Sequence, residues 1–213
     1  MAGGYDEGYR SCPCFWGKTP GKLVRALADL IPSFHGLHIL DAGCGEGKNA
    51  VFFADRGAFV RAIDVSALAL ENARSAWDAD VIRMCTWEQA DVQQLAIRES
   101  TFDIIVAYGL LHCFRSRRSI VDTIKTFQTG TKIGAYNIIV AFNNRKQDLR
   151  AHPKLRPCLV DHMDYVRMYA NWRLVHVSDT DLEESHPDTN IMHIHSLTRI
   201  LAKKSCENGS CAT

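Results

Sequence analysis

At 213 residues, 46% of them apolar and 23% charged, the chain suits one soluble globular domain with room for a real core. A net charge of +1 argues against nucleic acid or an anionic membrane as its main partner. No apolar run approaches a membrane span and the opening MAGGYDEGYR lacks the layout of an export signal, so the eight scattered cysteines read as reduced thiols in the cytoplasm.

In chain order, residues 1–22 have little periodicity and form a candidate N-terminal lid. Leu23 to Ile31 repeats apolar residues at helical spacing, and Pro32 closes the run. Leu37 to Leu40 is a short apolar strand that ends at Asp41. After the glycines of LDAGCGEG, Lys48 to Gly57 is helical, and Ala58 to Asp64 alternates as a strand ending in a second acid. Ser66 caps a helix over ALALENARSAW. Met84 to Asp91 is a third strand ending in a third acid, and Thr101 to Leu111 is an apolar fourth. Arg118 to Gln128 predicts an amphipathic helix and Gly134 to Asn143 a fifth strand. The stretch 144–160 is a second lid candidate. Asp161 to Ala170 predicts a helix, and Arg173 to Asp179 with His193 to Ala202 a closing antiparallel pair.

Strands alternating with helices imply right-handed crossovers and a mostly parallel α/β sheet covered by helices on both faces, with a C-terminal antiparallel hairpin. Nothing demands a second domain. The expected organisation is a lid (1–22), a cofactor-binding core (23–142), substrate-side elements with the hairpin (143–204) and a disordered tail (205–213). Ligands of such sheets bind beyond the carboxyl ends of the strands, where Asp41, Asp64 and Asp91 all fall.

The glycine loop sharpens this. Its spacing is Gly43-x-Gly45-x-Gly47, not the G-x-G-x-x-G of dinucleotide sites. Missing side chains still open the turn to a ligand, but Asp41 and Glu46 disfavour pyrophosphate and favour a cation. Asp64 is placed to accept from a ribose diol, and Asp91 from an adenine amino group while the Val92 backbone serves the ring nitrogen. A ligand with adenine, an intact ribose, an ammonium and no phosphate satisfies all three acids, and S-adenosylmethionine is such a molecule.

LDAGCGEG, AID with Asp64, AD with Asp91 and the apolar FDIIVAY resemble, in order and separation, the motifs of class I S-adenosylmethionine-dependent methyltransferases over roughly residues 37–142. The resemblance implies their Rossmann-like fold, S-adenosyl-L-methionine as cofactor, and a cofactor set of Asp41, Gly43, Cys44, Gly45, Asp64, Val65, Asp91, Val92, Tyr108 and Trp16. The ends, YDEGYR…CFWGKTPGKLVRAL and EESHPDTNIMHIHSLTRILAKK, are similar to tellurite-resistance (TehB-type) methyltransferases and their small-molecule relatives. That family carries a His-Arg arrangement facing the acceptor, whereas this tail offers His186-Pro187 and His193-x-His195. The expected acceptor is therefore a small molecule: a thiol or chalcogen, or a carboxylate or amine of a specialised metabolite.

His112, directly after the fourth strand, is the first candidate for a base or substrate-orienting group, set against a packing histidine in the next element. His193 and His195 share one strand face and are acceptor-side candidates. With His186 or Asp188 they would suit a metal or an anion, but the polar face of an edge hairpin is the favoured reading and no metal is assigned. Tyr5, Tyr9, Arg10 and His186 are expected to contact substrate, with Trp16 shielding a sulfonium. Cys44 and Cys113 read as small fillers. The alternatives are a nicotinamide oxidoreductase or a non-catalytic cofactor-binding module. A nucleic-acid or protein methyltransferase is disfavoured by charge, length and the loop AYGLLH, which lacks an Asn-Pro-Pro-Tyr pattern. A monomer or homodimer is expected.

Overall fold

The computed structural model describes residues 5–187 and 190–206. Among the described residues, seven strands form a single sheet: β1 (His38–Ala42), β2 (Phe59–Asp64), β3 (Cys85–Gln89), β4 (Phe102–Tyr108), β5 (Thr131–Gln147), β6 (Arg173–Glu184) and β7 (His193–Lys203), in the spatial order β3-β2-β1-β4-β5-β7-β6. The first five are parallel. β7 runs antiparallel between β5 and β6. The strand order reverses between β1 and β4, which makes that point the topological switch where α/β sheets open a crevice.

Helices α1 (Asp6–Ser11) and α2 (Lys22–Ala28) precede the sheet. α3 (Lys48–Ala54), α4 (Ala67–Ala76), α5 (Ala79–Ile82), α6 (Arg117–Gly130) and α7 (His162–Met168) join or flank its strands. Alternation along the buried strands splits the core in two. Ile39, Val60 and Ile104 face Leu27, Phe53 and Leu70 of α2, α3 and α4. Leu40, Ile63 and Ile105 face Ile124 and Phe127 of α6 and Tyr165 of α7. Ser66 and Ser116 cap α4 and α6 through side-chain oxygens that accept from Ala69 N–H and Ser119 N–H. Among the described residues no helix is long and apolar enough to cross a membrane.

Several boundaries move for local reasons. β4 stops at Tyr108, not Leu111, because Gly109 turns the chain at φ +81°, and Leu111–Cys113 forms a 3-10 turn that holds His112. β5 runs well beyond the expected 134–143 at both ends, accommodated by register shifts, so part of the proposed 144–160 lid is strand. The edge-hairpin reading of His193 and His195 is overturned. β7 is paired on both sides, and the two histidines are only 1% and 0% exposed. β6 is the edge. Asp188, Cys211 and most of the 205–213 tail lie outside the described residues.

The tightest steric constraint in the glycine loop is at Gly47. Gly47, at φ +82°, precedes α3, and a Cβ there would run into the Trp87 ring. Gly47→Ala combines left-handed strain of about 1–2 kcal/mol with that clash. A loss of at least about 2 kcal/mol in urea denaturation is expected, and a near-neutral effect would show that the loop relaxes freely.

Candidate functional site

At the switch point the carboxyl ends of β1, β2 and β4 open into a cavity of about 300 Å³ that extends sideways to the face of the β6–β7 hairpin. Backbone hydrogen bonds fix its floor. The Gly43 and Cys44 amides donate to the Ile63 carbonyl at 2.8 and 2.9 Å, which locks the glycine loop to the end of β2. Gly45 N–H donates to Asp64 Oδ2 and Ser66 N–H to Asp64 Oδ1, both at 2.8 Å. Each carboxylate oxygen then retains acceptor capacity for a further donor. Gly45 sits at φ +53°, and a Cβ added there would lie 2.9 Å from Tyr9 Oη, so a side chain at this position would block the space between loop and roof.

Asp41 lies behind the loop rather than on the cavity wall. It is 1% exposed, and neither oxygen reaches a hydrogen-bond donor in good geometry. Burial pushes its carboxyl up to about 7. The Ala50 amide offsets part of that cost, and the nearby Asp64 charge adds to it. Burial likewise raises Asp64, against the pull of the Ser66 and Gly45 amides. A site with two carboxylates that resist ionisation gains by receiving positive charge and loses by receiving phosphate.

The roof is the N-terminal segment, held by the loop's own side chains. Glu46 Oε1 accepts from Cys14 N–H and from Asn72 Nδ2, each at 2.9 Å, and Oε2 accepts from Phe15 N–H at 2.6 Å. Lys48 Nζ donates to the Trp16 carbonyl at 3.0 Å, and Asn49 Oδ1 accepts from Gly21 N–H at 2.9 Å. Glu46 is thus a clasp for the roof, and its charge is taken up by amides. Tyr5, Tyr9 and Trp16 line the cavity from above. Trp16 meets Tyr5 edge to face at 5.1 Å between ring centroids.

At the hairpin end of the cavity, the His112 ring stacks on Phe142 at 3.8 Å, and Phe142 stacks on His195 at 4.1 Å. Phe142 N–H donates to His112 Nδ1 at 3.2 Å, so the ring proton resides on Nε2, which lies 3.3 Å from Tyr5 Oη. Burial, with help from the neighbouring imidazoles of His195 and His152, lowers His112 to about 3 and keeps it neutral. Glu184 and Arg199 face the cavity from β6 and β7. Arg199 donates to Thr180 Oγ1 through Nη1, while its buried Nε finds no partner.

Of the residues expected from sequence, the structure brings Gly43, Cys44, Gly45, Asp64, Val65, Tyr108, Trp16, Tyr5, Tyr9 and His112 to the cavity. It does not bring Asp91 or Val92 there: Asp91 caps a 3-10 turn by accepting from Gln93 N–H at 2.9 Å, and Val92 is buried in the second core. Arg10 is solvent-exposed. His186 is buried against Phe15 and Trp16, and His193 and His195 lie behind Glu184 and Phe142 rather than on the cavity wall. Cys44 is buried, and its thiol is pushed up, which fits a filler. Leu110, Phe142, Glu184 and Arg199 were not singled out from sequence. Period-two spacing from His195 through Leu197 to Arg199 was the available signal for Arg199.

Residues 39–130 match the family model of a methyltransferase domain. The chain is 31% identical over 102 residues to 27-O-demethylrifamycin SV methyltransferase of Amycolatopsis mediterranei, covering 47% of this chain and 38% of that protein. It is 29% identical over 159 residues to hemagglutinin 1 of Eikenella corrodens, covering 70% and 48%. Among solved structures, TehB from Haemophilus influenzae superimposes with a TM-score of 0.72 at 19% identity, over 87% of this chain and 63% of that one. The chain spans less than half the length of the curated relatives it first matches. Fold and loop together define the Rossmann-like class I methyltransferase architecture. The matched segment stops before β5, so the hairpin and roof that enclose the cavity are outside it.

Two outcomes follow from these geometries. Glu46→Ala removes a carboxylate that accepts three hydrogen bonds, and it is expected to cost about 3 kcal/mol in denaturant unfolding and to expose the N-terminal segment to limited proteolysis. Asp41 holds a proton in the folded chain that the unfolded chain releases from its ordinary value of 3.8 upward. Unfolding free energy therefore falls as pH rises through about 4 to 7, by up to about 4 kcal/mol. Asp41→Asn should remove that slope, stabilising the chain at about pH 8 by about 2–4 kcal/mol, and parallel pH profiles of the two proteins would exclude Asp41 as its source.

Proposed function

We propose that this protein is an S-adenosylmethionine-dependent methyltransferase acting on a small-molecule acceptor. The observation that carries the reading is the pair of carboxylates, buried Asp41 and half-buried Asp64, that burial makes costly to ionise at the ends of adjacent parallel strands beside a glycine loop. That arrangement welcomes a cationic nucleoside and penalises a pyrophosphate, which weighs against the nicotinamide alternative. The cavity fits the group: the Gly43–Gly45 backbone is open to close approach, and Asp64 has acceptor capacity left for ribose hydroxyls. The matching domain model and the name of the Amycolatopsis relative support the reaction class.

S-adenosylmethionine supplies, when bound, a methyl group already activated on a sulfonium. What remains for the chain is to align an acceptor and exclude water. Tyr5, Tyr9 and Trp16 close the cavity from above, and their ring faces offer cation–π contact to the sulfonium. His112 acts as an orienting group and not as a base. Its Nδ1 is occupied by the Phe142 amide, its Nε2 proton is directed at Tyr5 Oη, and its low pKa leaves it no proton affinity near neutrality. The Tyr5 hydroxyl proton is then directed away from His112, toward Cys113 at the cavity wall. Arg199 provides a buried cation that favours an acceptor arriving with negative charge, such as a thiolate, a chalcogen anion or a carboxylate. A net charge of +1 fits a small-molecule partner in the cytoplasm better than nucleic acid or a membrane surface, with the chain working as a monomer or homodimer.

Calorimetric titration with S-adenosylhomocysteine, followed by a radiolabelled methyl-transfer screen over thiols, chalcogen oxyanions, carboxylates and amines, tests the reading. Asp64→Ala should weaken cofactor affinity by about 1–3 kcal/mol. Nicotinamide nucleotide binding without S-adenosylhomocysteine binding would overturn the assignment.

A further inference from the structure

Directly behind the acceptor wall lie four histidines and a glutamate that the methyl-transfer reading leaves unused. His193 and His195 come from β7, His186 from the segment after β6, and His152 from the loop after β5. Glu184, at the end of β6, pairs directly across from His193, and its carboxylate also faces the cavity. Directly opposed residues of an antiparallel pair project from the same side of the sheet, so the β6–β7 register alone sets Glu184 and His193 together. His195, two residues on, shares that side.

Hydrogen bonding fixes which nitrogen of each ring carries its proton. His193 Nδ1 lies 2.7 Å from the Ile191 carbonyl, which only accepts, so Nδ1 donates. His195 Nδ1 lies 2.7 Å from Gln147 Oε1. Gln147 spends its amide nitrogen on the Asn143 and Ser196 carbonyls, both at 2.8 Å, so its oxygen is the atom that accepts from His195. In its neutral form each histidine therefore presents a bare Nε2 lone pair. Both Nε2 atoms are buried, and neither has a hydrogen-bond partner among the described residues. A buried acceptor without a donor is costly, and two aimed into one cluster call for a shared electrophile.

We propose that Glu184, His193 and His195 form a binding site for a divalent transition-metal ion of the zinc type. Their candidate ligand atoms all lie within 4.8 Å of one another. Glu184 Oε1 is 3.9 Å from His193 Nε2 and 3.9 Å from His186 Nε2. Ligand atoms on a tetrahedral ion with bonds near 2.0–2.1 Å stand roughly 3.3–3.5 Å apart, so an inward shift of an ångström or less closes the set. Imidazole nitrogens with a single carboxylate suit zinc, cobalt or nickel and not the all-oxygen preference of magnesium or calcium. The Ile191 carbonyl and Gln147 amide already serve as the outer hydrogen-bond acceptors that metal-ligating histidines use. His152 and His186, whose Nε2 atoms are 3.1 Å apart, give the ion a second imidazole pair alongside.

Three protein ligands leave such an ion one position for an exogenous donor, and Glu184 belongs to the cluster and the cavity alike. A thiolate or other soft anion is the acceptor class that position would take. This assignment of the acceptor rests on the methyl-transfer reading, whereas metal binding does not.

The untagged, metal-stripped full chain, titrated with cobalt(II), is expected to take up one equivalent and to develop d–d bands without a thiolate charge-transfer band. The His193→Ala/His195→Ala variant should lose at least about 100-fold in cobalt affinity, and Gln147→Ala, which removes the outer acceptor of His195 together with its own bonds to the Asn143 and Ser196 carbonyls, about 10–100-fold. Circular dichroism establishes which variants are folded. If the double variant does not fold, Gln147→Ala carries the test. No uptake by the native chain, a thiolate-type spectrum, or undiminished affinity in the folded variants overturns the site. S-adenosylhomocysteine titration of the native chain separates the two readings: cofactor binding without cobalt uptake removes the metal alone, and cobalt uptake without cofactor binding keeps the metal and removes the acceptor role.

Discussion

The Glu46 carboxylate is the point on which the site's enclosure depends. A loop residue between two glycines accepts from two backbone amides of the N-terminal segment and from Asn72 of α4, and its own carbonyl accepts from Trp77 Nε1 at 2.7 Å. The turn that shapes the floor is thereby bonded to the roof and to the helix after β2. Without that carboxylate, the Cys14 and Phe15 amides would be left without their acceptor close to the aromatic residues that cover the cavity. Backbone amides satisfy the charge of Glu46, so it does not compete with Asp64 for a bound cation.

The electrostatic character of the floor comes from the opposite circumstance. Asp41 is deep, poorly solvated and without a good donor, so ionising it is expensive. Asp64 is nearer the surface and holds two amides. Side by side at the ends of β1 and β2, they set a local preference for positive charge in a chain whose overall charge is close to neutral. The hairpin side adds Arg199 beside Glu184, so a guanidinium and a carboxylate together face the carboxylates under the glycine loop.

How much of this was legible in the sequence follows from how local each feature is. The parallel core was readable because strand, glycine turn and helix lie within a few tens of residues and each strand ends in an acid. Asp41 and Asp64 were placed by that pattern. Asp91, which shares it, was drawn into capping the turn that follows β3, a local competition that spacing does not reveal. Glu46 was read as a charge facing the ligand because its partners, the Cys14 and Phe15 amides, carry no side-chain signature. The acceptor wall was the least legible. The meeting of Glu184 with His193 depends on the register of β6 on β7, and that of His195 with Gln147 on a register shift in β5. His152, on an aperiodic loop, offered no pattern at all.

The placement of β7 also shapes how the molecule must be assembled. Although it follows β6 in sequence, it lies inside the sheet, hydrogen-bonded to β5 on one side and β6 on the other. The βα units from β1 to β5 can pair with one another as soon as they leave the ribosome, but β5 keeps an open flank until β7 has been made. That flank includes Ile138, Ile139 and Val140, an apolar strand edge of the kind that recruits other chains. The glycine-loop half of the cavity therefore takes shape first, the hairpin wall last, and the nascent chain is most exposed to misassociation in the interval between them.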